Sequence, residues 1–159
     1  MLLLLVLTLL GLGAMKAARM QERMAGNSRD VNIAFQGAEA GLRDAETRLG
    51  ALATRPDSCA GAPCTAVWEM NILPDNLRDQ TVNWWDTNAQ EYGAQGVREL
   101  TDTASEPQSV TEDMGFIRDS LTGGHGPPEG RNFYRVTARS TGATATAQAV
   151  LESTYAWRY

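Results

Sequence analysis

MLLLLVLTLLGLGAMKAARMQERMAGNSRDVNIAFQGAEAGLRDAETRLGAL, residues 1–52, decides the fold. Residues 1–15 carry no charge and eight leucines, which at roughly −0.5 kcal/mol each favour membrane insertion by about 4 kcal/mol. A helix over them is about 22 Å long, short of the roughly 30 Å hydrocarbon core of a bilayer. Such a segment is a cleaved signal peptide, a short buried helix or a membrane helix whose beginning is missing. No basic residue precedes the apolar run, as a signal peptide requires, and a small domain has little use for a uniformly apolar helix at its end. The membrane helix without its start is the reading that remains. Lys16, Arg19 and Arg23 follow the run, and on those charges alone the next domain would sit in the cytoplasm, a count that the missing beginning could reverse.

The helical pattern continues past the apolar run. Met20, Met24, Val31, Phe35, Ala38, Leu42, Ala45, Leu49 and Leu52 recur at steps of three, four or seven, which predicts one apolar stripe. Arg23, Arg29, Asp30, Glu39, Arg43, Asp44, Glu46 and Arg48 fall on the other face, with Glu39–Arg43 and Asp44–Arg48 as favourable i,i+4 pairs. Continuous helix to Leu52 would reach roughly 78 Å, so part of it must project from any domain of this size. Gly26-Asn27 is the weak point, where a kink or local melting is expected, and Thr54-Arg55-Pro56-Asp57 ends the helix. The stripe from Val31 to Leu52 is expected to hold the head on its own helix. The chain thus divides into an apolar helix at 1–15, its amphipathic continuation at 16–54, and a head at 55–159.

Beyond the helix, Cys59 and Cys64 bracket Gly61 and Pro63 in SCAGAPC. No histidine or further cysteine lies near, so the pair is not a zinc site, and its spacing is not that of a CxxC redox motif. A structural disulfide is expected, in an oxidising compartment such as the periplasm. Residues 56–105 are hard to read. One short helix is expected between Pro74 and Tyr92, and the Trp84-Trp85 pair is expected to plug loop against core. From Phe133 onward the period changes to two. Phe133–Ser140 and residues 144–157 alternate apolar with polar side chains across a turn at Ser140-Thr141-Gly142-Ala143, which predicts a hairpin. Gln108–Asp113 is a weaker third strand. The layout is α+β, a long N-terminal helix packed on a C-terminal antiparallel β-sheet.

The N-terminal stretch resembles PilX-type minor pilins of type IV pili, most specifically in Gln21-Glu22-Arg23-Met24-Ala25-Gly26-Asn27, Ala34-Phe35-Gln36 and Ala38-Glu39-Ala40. Phe133–Arg139 and Val150–Tyr155 resemble that family's last hairpin, and Pro107–Met114 its preceding strand more weakly. The resemblance implies a type IV pilin-like fold, a single-pass inner-membrane helix, a head in the periplasm, and incorporation at or near the pilus tip. Implied partners are other minor pilins, the major pilin, a large tip adhesin, and membrane lipid before assembly. Gly11 and Gly13 would permit close helix–helix approach, and Met24, Gly26, Phe35, Leu42 and Leu49 are the further helix-packing candidates. Residues 65–105, with Trp68, Trp84 and Trp85, are the candidate partner surface. The family's basic leader and processing site have no counterpart in these residues.

Other functions fit less well. The net charge of −5 offers no basic surface for nucleic acid. His125 is the single histidine and sits in Gly/Pro-rich surroundings that suggest an exposed loop residue. No nucleophile elbow or Walker loop is present in the sequence, so neither catalysis nor a cofactor is expected. Glu112-Asp113 is too small a cluster for a calcium cage, so no metal is expected either. A minor pseudopilin of a type II secretion system shares the architecture, and a membrane-anchored binding or adhesive module remains the other alternative.

Overall fold

The computed structural model of the chain describes residues 2–64, 66–93, 99–119 and 129–158. Helix α1 (Leu2–Gly50) is 49 residues long, about 74 Å at 1.5 Å per residue. It runs through Gly26-Asn27 without a break, because two weak formers in so long a hydrogen-bonded ladder cost less than interrupting it. It stops at Gly50, before the predicted boundary at Thr54.

The head is a six-stranded sheet in the order β1-β2-β4-β5-β6, with β3 also on β4. The long strands β4 (Gln108–Arg118), β5 (Gly130–Thr141) and β6 (Gln148–Trp157) are antiparallel, as expected. The short strands β1 (Ser58–Cys59) and β2 (Val67–Trp68) add in parallel, so the sheet is mixed rather than purely antiparallel. Strand β4 runs five residues beyond Asp113, past a bulge at which Gly115 takes φ +99°. Helix α2 (Val82–Asn88), capped by the Thr81 hydroxyl accepting from the Trp84 N–H, is the short helix expected before Tyr92, and β3 (Gln90–Glu91) follows it.

The sheet is covered on both faces. On one, Ala45 and Leu49 of α1 pack with Val67, Tyr134 and Val136, and Leu42, Tyr155 and Trp157 close the cluster. On the other, Trp68, Trp85, Cys64 and Val110 form a second core. Thr137 and Arg139, which alternation assigns to a polar face, are therefore buried.

The stripe that holds the head differs from the one predicted. Ala34, Gly37, Ala38, Gly41, Ala45 and Leu49 are buried, whereas Val31 (54%), Phe35 (49%) and Leu52 (41%) are exposed. The sheet lies so close to α1 that only small side chains fit: a Cβ on Gly37 would lie 2.2 Å from Ser140 Oγ. Periodicity weighted toward large apolar residues finds the buried face at Ala38, Leu42, Ala45 and Leu49 but misplaces it at Val31, Phe35 and Leu52, where small residues make the contact. Gly37→Val is expected to force α1 off β5 at about 1–3 kcal/mol, read as a lowered urea midpoint of unfolding.

Candidate assembly surface

The described side chains of α1 from Leu3 to Arg29 are exposed, so about 40 Å of helix stands clear of the head. Leu9 is 60% exposed, Leu10 66% and Met24 65%. A Cβ on Gly11, Gly13 or Gly26 would meet nothing within 4 Å, so these glycines serve no packing inside the molecule. Of the helix-packing candidates, Leu42 and Leu49 bind the head, whereas Met24 and Phe35 face away from it. No helix among the described residues is long and apolar enough to cross a membrane.

A residue assigned to the solvated face marks where helix meets head. The Asp30 carboxylate accepts hydrogen bonds from the Thr144 N–H at 3.0 Å and from the Thr144 hydroxyl. It thereby ties α1 to the β5–β6 turn, and a Cβ on Gly142 would collide with it. Only the turn signal at 140–143 hinted at this contact. The Thr144 side-chain and backbone hydrogen bonds hold the Asp30 carboxyl below its ordinary value. A depressed carboxyl pKa means the contact is intact above the unfolded value of about 3.9 and is lost as pH falls through the lower folded value. Protection of the Thr144 amide against hydrogen exchange is thus expected to stay constant at neutral pH and to collapse only below about pH 4. Asp30→Asn should remove that acid transition.

Closer to the helix end, Arg48 bonds Ser109 Oγ and Glu91 O, both at 3.0 Å, and pairs with Asp44 at 2.9 Å. Glu46 accepts from the Ser153 hydroxyl at 2.8 Å. Burial lowers the Arg48 pKa; this side chain crosses to β4 instead of lying on a free face.

The three tryptophans do not form a partner surface together. Trp85 is fully buried and Trp68 is 5% exposed; Trp84 packs edge-on against Trp85 with centroids 5.5 Å apart. They are the plug that seals the second sheet face, as expected of Trp84-Trp85, because indoles are buried more favourably against Val110 than left in water. Among the described residues of the stretch, Met70, Ile72 and Val82 are the large apolar side chains left exposed. Cys59 and Cys64 are joined in a disulfide, and Cys64 is itself part of the plug. Glu112 and Asp113 point to opposite faces of β4. Glu112 takes Arg135 at 3.2 Å and the Asn71 N–H at 2.6 Å, while Asp113 takes Arg55 at 2.6 Å. His125 lies outside the described residues.

A long helix half clear of its head, with a sheet laid across its other half, defines a pilin-like α+β subunit. The PilX N-terminal family matches residues 1–43, and the type IV pilus assembly protein PilX C-terminal family matches residues 38–157. The chain belongs to the PilX family of type IV pilus assembly proteins. No curated protein and no solved structure matches it.

Proposed function

We propose that the chain is a minor pilin that takes part in priming and capping the type IV pilus, as a structural and non-catalytic subunit. The observation that carries this reading is the unbroken α1, whose described apolar side chains from Leu3 to Met15 are exposed around the helix. A helix apolar on every side is stable only in lipid or among equivalent helices. Before assembly residues 1–15 form part of a single-pass inner-membrane anchor, with the head at 55–159 in the periplasm, where the Cys59–Cys64 disulfide persists. On extraction, the same helix exchanges lipid for the helices of other minor pilins and the major pilin. Gly11 and Gly13 admit those neighbours closely. Exposed Met70, Ile72 and Val82 supply the head with apolar contacts for the tip complex, including a tip adhesin.

The test is a cysteine scan of the exposed face of α1 in a piliated strain that expresses the chain. Val31→Cys and Phe35→Cys should cross-link to cysteines in the helix of the major pilin or another minor pilin, and deletion of the chain should cut fibre number severalfold. A chain that inserts in the membrane but never cross-links to a pilin or enters sheared fibres would instead be a plain anchored module.

A further inference from the structure

Strand β6 is the open edge of the sheet, paired among the described residues with β5 alone. Natural edges of this length are normally blunted by proline, lysine or a bulge. β6 has none of these, and Glu152 is its single charge. The Gly142 N–H bonds Ala147 O at 2.9 Å and sets the phase of the hairpin. Bonded and non-bonded pairs alternate along an antiparallel ladder, so the N–H groups of Val150, Glu152 and Thr154 face away from β5.

A pocket flanks this edge on each face. On the side away from α1, a cavity of about 350 Å³ is lined by Val150 and Glu152 together with Asp75, Arg78, Glu112 and Arg135. On the helix side, a shallower groove lies between Tyr155 and the Glu46–Gly50 stretch of α1. Glu152 and Tyr155 are three apart, so a strand laid along β6 would place one side chain in the first pocket and the side chain three positions away in the second.

We propose that β6 accepts an extended strand from a partner protein that carries a basic residue opposite Glu152 and an apolar residue opposite Tyr155. The main chain would supply affinity and the two pockets would select the sequence, as in other strand additions. Charge fixes the class of partner. Three carboxylates line the first pocket against two guanidiniums. Arg135 is already engaged by Glu112, and it stands 3.7 Å from Glu152, whose side chain is 60% exposed. A second copy of a chain with net charge −5 is a poorer match than a basic strand.

The probe is the synthetic peptide acetyl-Thr-Ile-Thr-Leu-Thr-Val-Lys-Thr-Val-Thr-amide, titrated into the full chain in detergent micelles with amide hydrogen exchange as the readout. Saturating peptide is expected to slow exchange at Val150, Glu152 and Thr154 at least tenfold and to leave Ala149, Leu151 and Ser153 unchanged. Thr154→Pro, which removes one outward donor, should abolish the effect with the melting temperature nearly unchanged. Glu152→Lys leaves the backbone intact and should weaken binding at least tenfold, so it decides the matter even if the proline variant fails to fold. Absent or non-alternating protection overturns the proposal. The same alternating protection produced by the chain alone at rising concentration would make the occupant a second copy and overturn the choice of partner. No group invoked lies on the projecting helix, so failure here and failure of the pilus reading are separate results.

Discussion

Trp85→Ala is expected to lower the unfolding free energy by about 3–5 kcal/mol, the range for removing a large buried aromatic. That is a large share of the 5–15 kcal/mol typical of a domain. Trp85 is fully buried in the second core, clustered with Val110, Trp68 and Cys64. Its ring also covers the buried Arg139 guanidinium at 5.9 Å, a cation whose pKa burial already lowers. Truncation therefore opens a cavity and strips a buried charge of its aromatic cover. The indole Nε1 has no hydrogen-bond partner among the described residues, so Trp85→Phe discards an orphaned donor along with some volume. It should cost less than half as much as the alanine change. Urea unfolding of the two variants checks both numbers. Equal losses for Ala and Phe would mean that the indole N–H contributes and that the plug is organised differently.

Much of this architecture is legible in the residues because it follows from local rules. Alternation over Phe133–Ser140 and the turn at 140–143 place the hairpin, and unbroken helical periodicity places α1. What escaped notice depends on how layers meet. Phe35 and Val31 lie on a helical stripe, yet the buried line runs through Ala34, Gly37, Ala38 and Gly41, because the sheet approaches α1 at glycine distance. Small residues carry little weight in a hydrophobic pattern, so close packing hides behind them. The Trp84-Trp85 pair reads both as a plug and as part of a partner surface, and the plug is what forms; that Trp68 joins it depends on α2 folding over the far sheet face, which no local signal encodes. The same plug buries Arg139 and Thr137, the residues that alternation marks as solvent-facing. The Asp30–Thr144 clamp joins residues 114 apart in the chain, beyond the reach of any local pattern. The exposed helix was readable for the opposite reason. No described residue of the head packs on the described side chains of Leu3–Met15, so composition alone describes them.

The second large effect separates that helix from the head. Leu10→Arg should reduce the amount of chain recovered in sheared fibres by about a hundredfold while leaving the melting temperature of the detergent-solubilised chain unchanged. Leu10 is 66% exposed and lies on the part of α1 that stands clear of the head, so the head's stability has no stake in it. In an apolar surrounding the exchange swings from about −0.5 kcal/mol for leucine to roughly +3 kcal/mol for arginine. At about 1.4 kcal/mol per tenfold this amounts to two orders of magnitude or more. Leu10→Ile keeps the apolar surface and should assemble normally. What surrounds α1 decides the outcome. If the arginine variant inserts poorly and the deficit ends there, lipid alone reads this position. If it inserts at wild-type levels and is excluded only from fibres, neighbouring helices impose the penalty, as expected for a helix buried in a filament core. Normal entry of the arginine variant into fibres would mean that Leu10 faces water in the assembled state, and the filament-core placement of α1 would then be wrong.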